Sequence, residues 1–367
     1  MAPGLVASAA AWCERRELPA AQVAVAREGE LVVFEGIGEA TRSTRLLVWS
    51  ITKAFVAAVV WQLVGERRAS FDERVASYLP DFGSNGKDMV TLEQVLLHTA
   101  GFPHAPLGPT RWGSSESRRQ AFARWRLNWE PGTRFEYHQL SAGWVLAELI
   151  EEIDGGDYRR SLSSRITDPL GLSTFALGVP EDAQEGIAPV VVTGESAVDA
   201  DYLAAGWDPL PPPELTPHGA LVMNTPAALA IGIPGAGGVG TAADVALFYQ
   251  ALLHNPDGLW ADDVLRDGTG VVRNTFPDPG RWGEAANRTR GVVVRGDDEP
   301  YCSLRHHFGR GTSPRTFGHD GAGGQVAWAD PESGISFCFL TSGYDANRVQ
   351  EMLRNQDLSA AAAALDL

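Results

Sequence analysis

The sequence predicts an α/β protein of the α+β kind. One antiparallel sheet is assembled from both ends of the chain and flanked by terminal helices, with a mostly helical lobe inserted between. Two observations carry this expectation. Segments that alternate apolar and other residues around short turns lie near the two ends, "QVAVAREGELVVFEGIGEA" early and "GQVAWADPESGISFCFLTSG" late, and both read as hairpins. Between them, from about residue 71 to 172, the text has a helical period, with Thr, Ser or Gly bounding the runs. Strands so far apart can share a sheet if the helices between them form a lobe of their own.

Taken in order, a short amphipathic helix comes first and a hairpin from Gln22 to Gly38 follows. The stretch "VWSITKAFVAAVVWQLVGE", Val48 to Glu66, is apolar nearly all round, the pattern of a helix buried on several faces. Helices are expected in "TLEQVLLHTA", "SSESRRQAFARWRLNW", "SAGWVLAELIEEI" and "YRRSLSSRITDPLGL". "WDPLPPPELTPHG" is a Pro-rich stretch too long for a plain connector, and such stretches serve as lids or binding loops. Helix returns in "TAADVALFYQALLH", strands in "RGVVVRG" and the late hairpin, and a helix from Asn347 to Leu365 closes the chain. The expected division is a sheet domain of residues 1–70 and 240–367, a helical lobe of 71–190, and a Pro/Gly-rich region of 190–240 over the active site.

Composition narrows the function. With 367 residues, 44% of them hydrophobic, the chain can bury a large core. A net charge of −16 without any basic run argues against nucleic acid or anionic membrane as a partner. No stretch approaches eighteen uninterrupted apolar residues, and no positively charged segment precedes the Ala-rich start, so a cytoplasmic location is expected. Cys13, Cys302 and Cys338 are far apart and suit free buried thiols. "GAGGVG", Gly235 to Gly240, fits G-x-G-x-x-G but lacks a βαβ setting, so it reads as a tight turn beneath a helix and no cofactor is implied. There is no G-x-S-x-G elbow and no H-E-x-x-H or paired C-x-x-C, hence no α/β-hydrolase and no metal site. His306 and His307 are expected at the surface or in a loop, and His98 and Thr99 in a structural role.

Only two of the thirty basic side chains are lysines. Lys87, in "GSNGKD", is expected to be solvated. Lys53 lies inside the apolar helix, where a position needing a side chain that can lose its proton when desolvated would exclude arginine. Ser50 is three residues earlier, so on a helix beginning there the two side chains share a face. The helix N-terminus also favours negative charge beside that hydroxyl.

Further segments come in the order of a known family: "SITKAF", "TLEQVLLHTAGFP", "PGTRFEYHQLSAGWVLAELI", "DPLGL", "GGVGTAADVALFYQALL" and "FGHDGAGGQVAWADPESG". Together they resemble the serine β-lactamase-like and penicillin-binding-protein-like hydrolases, in the branch of class C β-lactamases, family VIII carboxylesterases and transacylases. The resemblance implies the β-lactamase/transpeptidase-like fold. It also implies Ser50 as acylated nucleophile, Lys53 as its partner, Tyr137 as the catalytic tyrosine of the second motif, and the backbone N–H groups of Ser50 and Ala322 as oxyanion hole. Gln139 stands where that motif has Asn, and His319 and Gly321 fall on the third motif, where β-lactamases have Lys in place of His319. Lys and Tyr both titrate near 10 in water, so either could be the operative base only after a shift by burial or charge.

The expected activity is that of a serine hydrolase, first a carboxylesterase on a small uncharged ester. After it come a transacylase for a small biosynthetic acceptor, a β-lactamase or D-amino-acid peptidase, and a non-catalytic relative that keeps the fold. Histidine is a weaker cation than lysine at neutral pH, Asp320 adjoins it, and no Lys or Arg falls between Glu195 and Asn224, so a substrate carboxylate is expected to be disfavoured. Trp112 and Trp207 are candidate walls of an apolar substrate pocket.

Overall fold

The computed structural model describes residues 2–298 and 305–366; Cys302 and the side chain of His306 lie outside what it describes. Six antiparallel strands form the main sheet, in the spatial order Glu30–Gly38, Ala20–Arg27, Ile335–Thr341, Gln325–Asp330, Phe317–Gly321 and Val293–Val294. The two ends of the chain meet directly, with Val23 opposite Phe339 and Val25 opposite Phe337.

The central strands are buried on both faces because each face carries helices. Val23, Val25, Phe337 and Phe339 pack with Leu5, Ala9 and Leu358 of the terminal helices Ala2–Arg15 and Arg348–Ala363. Ala24, Ala26, Cys338 and Leu340 point the other way, into the larger core with Val245 and Phe248 of the helix Ala242–His254. The alternation is the period of two that a pleated strand imposes. On that inner side Phe55 lies between Phe175 and Phe248, with ring centroids 3.8 and 3.7 Å away. Burying such a ring contributes about 1.5–3 kcal/mol, and it fixes the helix Thr52–Gly65, whose residues from Thr52 to Leu63 are all buried.

The helical lobe holds the helices Leu92–Leu96, Ser115–Phe122 and Ser141–Asp154. Thr91 and Gln94 form a capping box at the first, and Ser114 caps the second. Lys87 is buried here, contrary to the solvated position expected. Its ammonium donates to the carbonyl oxygens of Trp125, at 2.7 Å, and of Ser84. A Gly/Asn turn can fold over a lysine when backbone carbonyls replace its water. Burial lowers its pKa to about 8.

Residues 190–240 are less irregular than their prolines suggest. They include the helices Asp199–Ala204, Pro217–Ala220 and Pro226–Ile231. Thr216 and Thr225 cap the last two, each followed by proline at the first helical position, where a missing N–H costs nothing.

Candidate active site

Ser50 sits in a single 3₁₀ turn, Trp49–Ile51, that feeds into the helix carrying Lys53. Trp49, immediately before it, has φ 49°, a left-handed conformation that costs a non-glycine residue about 1–3 kcal/mol and marks functional turns. An edge-to-face contact with Tyr344 and the Thr52 hydroxyl bonded to its carbonyl oxygen at 2.6 Å hold it there. Lys53 Nζ lies 3.1 Å from Ser50 Oγ and donates to the Gly235 carbonyl oxygen at 2.7 Å. Burial, helped by the nearby Arg288 cation, lowers its pKa to about 7.

Tyr137 closes the triangle. Lys53 Nζ lies 4.9 Å from the centre of its ring, and the Arg288 guanidinium is also 4.9 Å from it. Burial raises the pKa of the phenol, against the opposing pull of Arg288 and of Ser50, so the tyrosine stays protonated at neutral pH. The loop that carries it is held from behind by two histidines. His138 N–H donates to His98 Nδ1 at 3.1 Å, His138 Nε2 accepts from Phe102 N–H at 3.1 Å, and His138 Nδ1 lies 2.7 Å from the Glu136 carbonyl oxygen. Burial lowers the pKa of His138 to about 4, which keeps it in the neutral tautomer those bonds require.

His319 is in the strand Phe317–Gly321 but is fully buried. Its Nδ1 lies 2.6 Å from the Asp320 carbonyl oxygen, and its Nε2 is 3.5 Å from Arg288 Nη1, so it contacts Arg288 and does not line the cavity in front of Ser50. At Gly321 the strand passes close to the Ser50 turn: a Cβ there would fall 2.8 Å from the Val48 carbonyl oxygen. That approach puts Gly321 and Ala322 beside Ser50 on the wall of one cavity of about 560 Å³, with Tyr137 and Gln139.

Ser50, Lys53, Tyr137, Gln139, Gly321 and Ala322 therefore come together, while Trp112 and Trp207 do not join them. Trp112 is buried in the helical lobe against Trp144, with its indole N–H bonded to the Leu107 carbonyl oxygen at 2.9 Å. Trp207 packs on Trp282 and on Tyr202 and Leu210, which themselves face the cavity.

The profile of the family described as Beta-lactamase matches residues 7–362. The chain belongs to the beta-lactamase family. Within it, the esterase/beta-lactamase LipL of Mycobacterium tuberculosis is 28% identical over 80% of this chain and 68% of its own. Among solved structures, a penicillin-binding protein homologue from Caulobacter crescentus superposes with a TM-score of 0.76 at 25% identity, covering 98% of this chain and 97% of its own. A family VIII carboxylesterase superposes at 0.79 and 24% identity, covering 98% and 96%. The protein is a serine hydrolase of the beta-lactamase fold, and none of its described helices is long and apolar enough to cross a membrane.

In this beta-lactamase-family cavity the cations are the main feature that sequence reasoning missed. Arg281, Arg288 and Arg348 all line it, none of them within the Pro-rich stretch searched for basic residues. Carboxylates accompany them: Arg281 is paired with Asp320 at 2.5 Å, and Asp278 and Glu351 also face the cavity. His307, expected at the surface or in a loop, ends a short 3₁₀ turn, Arg305–His307, but is buried; it lines the cavity as well and is bonded to Asn355 at 3.1 Å. The glycine run "GAGGVG" lies under the Lys53 helix, where Gly235 receives the lysine and Gly238 N–H donates to Thr52 Oγ1 at 2.9 Å.

Proposed function

We propose that the protein is a carboxylesterase that cleaves a small uncharged ester through an acyl-Ser50 intermediate. The observation that carries this reading is an amine of pKa about 7 held 3.1 Å from a serine hydroxyl. Its burial brings the unprotonated amine within reach at neutral pH, so its lone pair can take the Ser50 proton as Oγ bonds to the ester carbonyl carbon. The resulting oxyanion would be held by the N–H groups of Ser50 and Ala322. When the carbon–oxygen bond to the alcohol breaks, Tyr137 serves as proton donor to the leaving alkoxide and is reprotonated from Lys53. Water then attacks the acyl carbon, giving its proton to the same pair, which passes a proton to Ser50 Oγ as the bond between Oγ and the acyl carbon breaks.

The raised pKa of Tyr137 supports its being the proton carrier, with Lys53 as the base. An uncharged substrate is supported by the pairing of Arg281 with Asp320, which leaves that cation no charge to spare for a substrate carboxylate. Relatives named as a family VIII carboxylesterase and as an esterase/beta-lactamase point the same way. The test compares kcat/KM for p-nitrophenyl acetate, butyrate and octanoate with that for nitrocefin. Faster hydrolysis of at least one neutral ester than of nitrocefin is expected, and the reverse for all three would replace this reading with a beta-lactamase one.

A further inference from the structure

His104 lies outside the Ser50 cluster, in the loop after Phe102, and both of its ring nitrogens face carboxylates. Nε2 is 2.6 Å from Glu136 Oε1 and Nδ1 is 2.7 Å from Glu214 Oε1. The three residues come from three separate segments. Glu136 immediately precedes Tyr137. Glu214 belongs to the Pro-rich stretch, in which Leu210, Pro212, Leu215 and Thr216 form one wall of the catalytic cavity. The far side of that stretch is tied to the C-terminal part of the chain, by Tyr344 Oη donating to the Leu215 carbonyl oxygen at 3.0 Å and by Trp282 Nε1 donating to the Asp208 carbonyl oxygen at 2.7 Å. On the helical-lobe side the tie is His104.

We infer that His104 is a positioning residue: its proton closes the Pro-rich wall onto the Tyr137 loop, and loss of that proton frees the wall. A neutral imidazole has one N–H and one lone pair, so it can donate to only one of the two carboxylates and turns its lone pair towards the other. Both short contacts are satisfied when the group holds a second proton, either on the imidazole or shared with Glu214, whose carboxyl is raised above its ordinary range first by burial. Wherever that proton resides, the clasped form binds it and the open form does not require it, so raising the pH favours opening. The other charged groups facing the clasp are Arg134, 3.2 Å from Glu136, and His138, whose interaction with His104 is repulsive when both are charged. The arrangement suits a proton better than a metal ion. The two carboxylates approach opposite nitrogens of one ring, and an ion can take only one of these.

His104 and Glu214 are about half exposed and Glu136 less so, so the clasp is a modest bias on the wall and not a lock. Its strength comes from charge-assisted hydrogen bonds on both sides of one ring.

The inference rests on the position of the loop and not on the ester reading, and its test avoids turnover. In the full chain carrying Ser50→Ala, hydrogen exchange is followed in a peptide spanning residues 198–224, with variants always compared at the same pH. At pH 6, adding His104→Ala or Glu214→Gln is expected to speed exchange about three- to tenfold. The double variant is expected to be no faster than either single one, because both remove the same tie. At pH 9 the chain with His104 intact is expected to exchange as fast as the variants. Equal exchange with and without His104 at pH 6, or a difference that persists unchanged at pH 9, would overturn the inference.

Discussion

The carbonyl oxygen of Gly235 lies 2.7 Å from Lys53 Nζ, and a methyl group built on Gly235 would fall 2.9 Å from the Gln139 carbonyl oxygen and 3.4 Å from that same Nζ. Glycine is needed here for close approach, since the backbone of the "GAGGVG" turn touches both the lysine and the second-motif loop. Gly235→Ala is expected to lower kcat at least tenfold by pushing Lys53 off its hydrogen bond, because misplacement by an ångström or less is costly in a positioned site. Steady-state kinetics beside a thermal melt would check this, with the loss in kcat exceeding what any unfolded fraction explains.

Lys53→Arg keeps the charge but cannot supply a base. A decrease in turnover of about 10²–10⁴ is expected, the usual contribution of positioned acid–base catalysis. A wild-type rate would mean that the lysine is only packed there.

The same burial makes stability depend on pH, and the sign follows from the direction of the shift. Lys53 titrates near 7 in the folded chain and near 10.4 when unfolded. Between those values the unfolded chain holds a proton that the folded chain lacks, so this group makes stability rise with pH across that window. Below it the cost is fully present. Lys53→Met is therefore expected to be more stable than wild type at pH 7, by an amount on the order of a few kcal/mol less the lost bond to Gly235. The margin should shrink towards pH 10, as read by urea unfolding at both pH values.

Arg288 acts on Lys53 by charge. Its cation is the second cause, after burial, of the lowered lysine pKa, so Arg288→Gln is expected to move the acidic limb of the kcat/KM profile to higher pH. Tyr137→Phe should instead leave that limb in place while lowering kcat about 10²–10⁴-fold, because in the proposed mechanism the phenol, whose own pKa is raised, is the proton donor. A limb that stays put in Arg288→Gln, or moves in Tyr137→Phe, would contradict this division of roles.

What could be read in the sequence is what local pattern encodes. The Gln22–Gly38 hairpin, the buried Lys53 helix and the three-residue step from Ser50 to Lys53 are properties of short windows, and the order of the motifs brought Tyr137 and Gly321 to the same site. Contacts across the chain left no such trace. Arg288 sits in "ANRTRG", among arginines that look alike, and its place above Tyr137, 151 positions earlier, depends on tertiary packing. The burial of Lys87 is hidden in the sequence for the same reason, since its partners are backbone carbonyls, one of them 38 residues away. Trp112 as a pocket wall is an expectation from residue type, and type does not separate a core indole from a substrate wall.

The central claim is that Ser50 is the acylated atom. Incubation with a fluorophosphonate or a slowly hydrolysed ester, followed by digestion and mass analysis, is expected to show the added mass on the peptide containing Ser50 and on no other, with Ser50→Ala neither labelled nor active. Label on a different residue together with retained turnover in Ser50→Ala would contradict the account.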